Sequence, residues 1–199
     1  MSPRSEEENQ RIRDERREQI LMAAAKVFAR KGLAATKIAE VAALAGASHG
    51  LVYHYFPSKE ELFAALIERA LFGATFVSQG ALAQPGSPLD QLRWMLTLML
   101  GGVLQQPDFF LVMVQAVTSD AVPRATRDLA IHQGAVSQAA VTQLIAAGQA
   151  AGQITAGDPE QLAIVLLAMI NGLAIGVSAD PTLMAKYPDA EVLLKLLKP

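Results

Sequence analysis

The sequence predicts an all-α protein, a small amino-terminal helical unit followed by a larger helical one, and three observations point to it. Apolar residues recur at helical spacing along the long segments, with no alternating strand pattern between them. Helix-breaking clusters divide the chain at Pro85-Gly86-Ser87-Pro88, Gln106-Pro107-Asp108, Val122-Pro123, Gly152 to Pro159 and Asp180-Pro181. Charge divides with them: nine basic residues stand against four acidic ones from Arg11 to Lys59, but six against nine from Ala81 onward. The 199 residues, 52% hydrophobic and 18% charged, are enough to bury a core and too apolar for a disordered chain. The absence of Cys excludes disulfide scaffolds, thiolate metal sites and cysteine nucleophiles, and makes a reducing cytoplasm the expected location.

Residues 1–13 are expected as a flexible arm carrying Arg4, Arg11 and Arg13 beside the acidic run Glu6-Glu7-Glu8, without the apolar stretch of a secretory leader. Ile20, Ala24, Val27 and Phe28 define the inward face of a first helix over 14–31, which Gly32 ends. Thr36 is placed to cap a short second helix, Lys37 to Leu44, with Ile38, Val41 and Ala42 inward. Ser48 caps a third, His49 to Tyr55, stopped by Pro57. Ser58 to Glu61 spells a capping box opening a fourth helix through Leu62, Phe63, Leu66 and Ile67. That helix spans about 60–83, and the later breaks leave helices at about 89–105, 109–118, 124–151, 160–178 and 189–197. The expected units are 14–58 and 59–199.

Two short helices joined by a three-residue turn containing Gly46 form a helix-turn-helix, which places its second helix in a DNA major groove. Val52 and Phe56 can pin that helix to the first, leaving His49, Gly50, Leu51, Tyr53 and Tyr55 to face outward. His49 suits a base edge and Leu51 a thymine methyl, and Gly50 suits close backbone approach to DNA. Packing at the edge of the small unit is the other reading of the tyrosines and the histidine. Lys59 falls in the first turn of the fourth helix, where free N–H groups and the helix dipole already favour an anion.

The stretch GLAATKIAEVAALAGASHGLVYHYFPSKEELF from Gly32 resembles the DNA-binding domain of the tetracycline-repressor-like (TetR) family of bacterial transcriptional regulators, over about residues 14–65. The resemblance implies a helical homodimer whose amino-terminal helices bind a pseudo-palindromic operator in double-stranded DNA, and whose carboxy-terminal domain dimerises and often holds a small ligand. It places Thr36, Tyr53, Tyr55 and Lys59 at phosphates and Lys37, His49, Gly50 and Leu51 at bases, and Ser48 completes the candidate DNA-binding set. Ala47 and Val52 stand where Val and Leu are usual, both conservative core changes. Repression is the family default.

In the larger unit, Leu162 to Ala179 runs 18 residues without a charge, which is long enough for a membrane span. Asn171 within it and the missing basic flank favour a buried interface helix instead, and no membrane partner is expected. The last two helices carry more apolar surface than one small domain covers. With the resemblance they form the expected dimer interface: Leu162, Val165, Met169, Gly172, Leu173, Gly176, Leu193 and Leu197. An intramolecular core is the alternative for any one of them. Trp94, Met95, Leu98, Met99, Phe109, Phe110 and Met113 are expected to line a ligand pocket, with His132 and Gln133 as polar contacts. The few charges between residues 81 and 122 favour a small neutral or apolar ligand. No cofactor, metal site or catalytic set is expected, since apart from His132 this unit offers no His, Cys or close carboxylate pair at a useful spacing. The sequence thus supports an all-α fold with an amino-terminal helix-turn-helix DNA-binding domain and a helical ligand-binding and dimerisation domain. The function expected is a ligand-responsive repressor that releases its operator; a ligand-independent dimeric DNA-binding or architectural protein is the alternative.

Overall fold

The structure is a computed structural model, and it describes residues 6–199. The regular structure among them is all helix, with no strand: α1 (Glu6–Ala35), α2 (Ile38–Leu44), α3 (His49–Tyr55), α4 (Lys59–Leu82), α5 (Pro88–Gln105), α6 (Pro107–Thr118), α7 (Arg124–Ala150), α8 (Pro159–Ala179) and α9 (Ala190–Lys195). A 3₁₀ segment, Pro181–Lys186, which the periodicity does not show, joins α8 to the turn before α9.

α1 starts earlier than its apolar face suggests. Residues 6–13, expected as part of the arm, are helical because Arg11 bridges Glu8 and Glu15 at one-turn spacing and Gln10 bonds Asp14. Glu6, Glu7 and Glu8 also sit at the dipole's positive end. Arg4 lies outside the described residues. Gly32 breaks the helix at φ 72° and ψ 170°, a conformation open essentially to glycine, and a last turn follows it. Thr36 does not cap α2: its hydroxyl donates to the Gly32 carbonyl oxygen at 2.7 Å, and Lys37 takes the cap position without a side-chain bond. Ser48 does cap α3, and Ser58 accepts the Glu61 N–H at the start of α4. The complete reciprocal box forms at Ser87 and Asp90, opening α5. Two hydrogen bonds from Ser87 and the Arg93 guanidinium hold the Asp90 carboxyl below the usual carboxylate range.

Two apolar clusters hold the molecule. The first joins α1 to α4 through Phe28, Val52, Phe56 and Phe63, Phe28 and Phe63 meeting edge to face at 5.1 Å, and takes in Phe109, Val112 and Ala116 of α6. The second gathers α5, α7, α8 and α9 around Leu96, Leu144, Leu166 and Leu193. α6 therefore packs one face into the amino-terminal helices although it belongs by sequence to the larger unit. α8 is long and apolar enough to cross a membrane by length and composition. Its Ala163, Leu166, Ile170, Ala174 and Val177 are buried in the protein, while Ile164, Val165 and Ile175 are exposed.

Candidate nucleic-acid interface and cleft

α3 is held from below. Val52 and Phe56 are buried in the first cluster, and the Arg17 guanidinium lies 5.2 Å from the centre of the Phe56 ring. Two turns anchored at both ends leave His49, Gly50, Tyr53 and His54 exposed and Leu51 and Tyr55 half-buried. His49 and Tyr53 meet edge to face at 4.9 Å, so the outward side of α3 carries a fixed aromatic pair. The Ser48 hydroxyl is engaged by the Leu51 N–H at 3.1 Å. Lys37 is exposed beside this face. Lys59 stands in the first turn of α4, with its ammonium donating to the Ala34 carbonyl oxygen at 3.0 Å, which ties α4 to the turn before α2. Thr36 does not belong to the exposed set: it is buried and its hydroxyl is spent on Gly32. Arg17, beside α3, was missed because periodicity alone counts it with the polar face of α1.

A cleft of about 360 Å³ opens between α4, α5 and α6. Leu98, Met99, Phe109, Phe110 and Met113 of the expected pocket line it, joined by Ala70, Gly73, Ala74, Val77 and Gly102, and by the polar Arg69, Gln105 and Gln106. Four expected residues do not. Met95 is fully buried in the second cluster, and the Trp94 ring packs over Gly80, where an added Cβ would meet it at 3.2 Å. His132 points to solvent from α7, and Gln133 accepts a hydrogen bond from the Thr75 hydroxyl at 3.3 Å, away from the lining. A weakly amphipathic helix such as α7 does not announce its phase in sequence. Arg69 was missed because the charge count began after α4.

Of the residues expected at the dimer interface, Leu193 and Leu197 are buried in the molecule's own second cluster. Their neighbours Val192 and Leu196 take the exposed side of α9, since a run of consecutive apolar residues leaves the buried side open. Val165 and Gly172 are exposed, Leu162, Met169 and Leu173 are half-buried, and so is Gly176, where an added Cβ would meet Leu183 of the 3₁₀ segment at 3.6 Å.

An exposed recognition-type helix on a buried three-helix base, followed by a helical bundle with its own cleft, is the arrangement the comparisons meet. The family description "Bacterial regulatory proteins, tetR family" matches residues 20–66, and "BetI-type transcriptional repressor, C-terminal" matches 88–196, more than half of the chain. The chain belongs to the TetR family. That family is one of bacterial regulatory proteins, and the relatives this chain matches are transcriptional regulators. The HTH-type transcriptional regulator CymR of Pseudomonas putida is 31% identical over 134 residues, 67% of this chain and 62% of that one. The HTH-type transcriptional repressor NicS, also of Pseudomonas putida, is 26% identical over 139 residues, 70% of this chain and 59% of that one. These matches span less than two thirds of either relative. Among solved structures, the MbdR regulator from Azoarcus sp. CIB is similar with a TM-score of 0.77 and 25% identity, covering 89% of this chain and 96% of that one. In this TetR-family chain α4 and α6 contribute both to the first cluster, which holds α3, and to the cleft lining.

Proposed function

We propose that the protein is a homodimeric repressor that binds a pseudo-palindromic operator through α3 and releases it when a small, largely apolar ligand fills the cleft. Sharing of helices carries this reading. Phe109 both packs into the first cluster and lines the cleft, and α4 runs from Lys59 at the candidate phosphate site past Arg69, Gly73 and Val77 at the cleft. A ligand that spreads α4 from α6 therefore moves the base on which α3 stands. Only about 1.4 kcal/mol of ligand preference for the released state gives a tenfold loss of operator affinity. His49, Gly50, Leu51 and Lys37 face bases in this reading, while Tyr53, Tyr55, Lys59 and the α3 start at Ser48 meet the backbone. Repression is supported by the family description matched over 88–196. A cytoplasmic location follows from DNA as the partner.

Dimerisation is supported by the apolar face of α8 and α9, with Val165, Ile175, Val192 and Leu196 exposed together with Gly172. Two recognition helices must then meet successive major grooves about 34–36 Å apart. The test is selection of genomic fragments on the purified protein at physiological salt, followed by footprinting. A protected two-half-site sequence is expected, and protection should be lost when a cleft ligand is added. Weak binding that is indifferent to sequence would overturn the operator reading.

A further inference from the structure

The cleft lining is apolar apart from Arg69, Gln105 and Gln106, and its one guanidinium is already paired with Glu18 of α1. Arg69 of α4 donates from Nε to both carboxylate oxygens of Glu18 of α1, at 2.8 and 3.0 Å, has its Nη2 in ion-pair contact with the same carboxylate at 2.7 Å, and lies 5.8 Å from the centre of the Phe109 ring. Its Nη1 has no hydrogen-bond partner among the described residues, and neither do the side-chain amides of Gln105 and Gln106 beside it. Glu68 and Asp108, the acids nearest in sequence, are not part of the lining.

We infer that the cleft takes an amphipathic organic monocarboxylate whose head group competes with Glu18 for Arg69. This rests on the proposed ligand cleft and replaces the neutral ligand expected from the charge count with an anionic one. The Nε–Nη2 edge of Arg69 already holds one carboxylate side-on, so a ligand carboxylate meets a site of proven shape. Arg69 is the single cation in the lining, which matches one negative charge and falls short of the two on a phosphate monoester. The body of the ligand lies on Phe110, Met113, Leu98 and Val77. When the head group takes Arg69, the tie between α4 and α1 is released. That tie is half-exposed on both sides, so the competition is worth no more than about fivefold in affinity.

Calorimetry at pH 7.5 with the full-length protein tests this, using octanoate and 4-phenylbutyrate against octanol and 4-phenylbutanol. Each acid is expected to bind about two- to fivefold more tightly than its alcohol. Arg69→Met should abolish that preference, so that acid and alcohol bind the variant equally, and Glu18→Gln should tighten the acids by about two- to fivefold. Equal binding of acid and alcohol overturns the carboxylate assignment while the apolar cleft stands. Unchanged or weaker acid binding by Glu18→Gln overturns the competition, even if Arg69→Met proves poorly folded. If none of the four compounds binds, the inference falls together with the ligand cleft.

Discussion

At the scale of single residues, the structure concentrates its constraint where a side chain or backbone has one partner only. Gly32 adopts φ 72° and ψ 170° between the main part of α1 and its last turn, and offers its carbonyl to the buried Thr36 hydroxyl. A Cβ there meets open space, the nearest atom being Gln115 Oε1 at 4.0 Å, so the penalty of Gly32→Ala is conformational and not steric. A loss of about 1–3 kcal/mol is expected from urea unfolding, with the far-ultraviolet spectrum of the folded state unchanged. Tyr187 presents a different constraint: its hydroxyl is buried with no hydrogen-bond partner among the described residues, and burial pushes the phenol up to about 12 from its ordinary value of 10.0. Because the folded value is raised, the unfolded chain loses this proton first. Stability is thus intact below about pH 10 and falls as pH rises through 12. Thermal melts from pH 9 to 12 should show this decline, and Tyr187→Phe should flatten it at no cost in stability at pH 7.

At the scale of elements, α3 and the start of α4 divide the work of recognition in the proposed operator complex. His49 is exposed on α3 and held by Tyr53, whereas Lys59 is fixed by Ala34 at the free N-terminus of α4. His49→Ala is expected to change which bases are preferred by about 1–3 kcal/mol at one operator position. Lys59→Ala should weaken all sequences alike and lower the salt slope by about one ion, both measured by fluorescence anisotropy over a salt series. Unchanged affinity in both variants would remove α3 from the groove. Sequence was sufficient to bound α3 because Ser48 and Pro57 act locally, through one cap and one missing N–H. It was insufficient for Thr36, whose hydroxyl had two acceptable uses within four residues and took the Gly32 carbonyl. Arg69 was similarly hidden, since its meaning depends on Glu18, 51 residues away, and on a cleft assembled from three helices.

At the scale of the molecule, the unresolved quantity in sequence was phase. In Val192-Leu193-Leu194-Lys195-Leu196-Leu197 nearly every position is apolar, so only packing selects Leu193, Leu194 and Leu197 for the interior and leaves Val192 and Leu196 outside. That selection supplies a discriminating test of the dimer. Leu196 is 63% exposed and Val165 56%, so Val165→Asp with Leu196→Asp adds charge to surface that the monomer already solvates. The double variant should keep its helix content and its melting behaviour at low concentration, but sediment as a monomer. Operator affinity should fall by about a hundredfold or more, because the second half-site no longer benefits from being tethered to the first. Leu193→Asp, in contrast, buries a carboxylate in the second cluster and is expected to lower the melting temperature sharply. A double variant that still sediments as a dimer and binds its operator normally would place the subunit contact elsewhere, and the exposed faces of α8 and α9 would then have no part in setting the spacing of the two α3 helices.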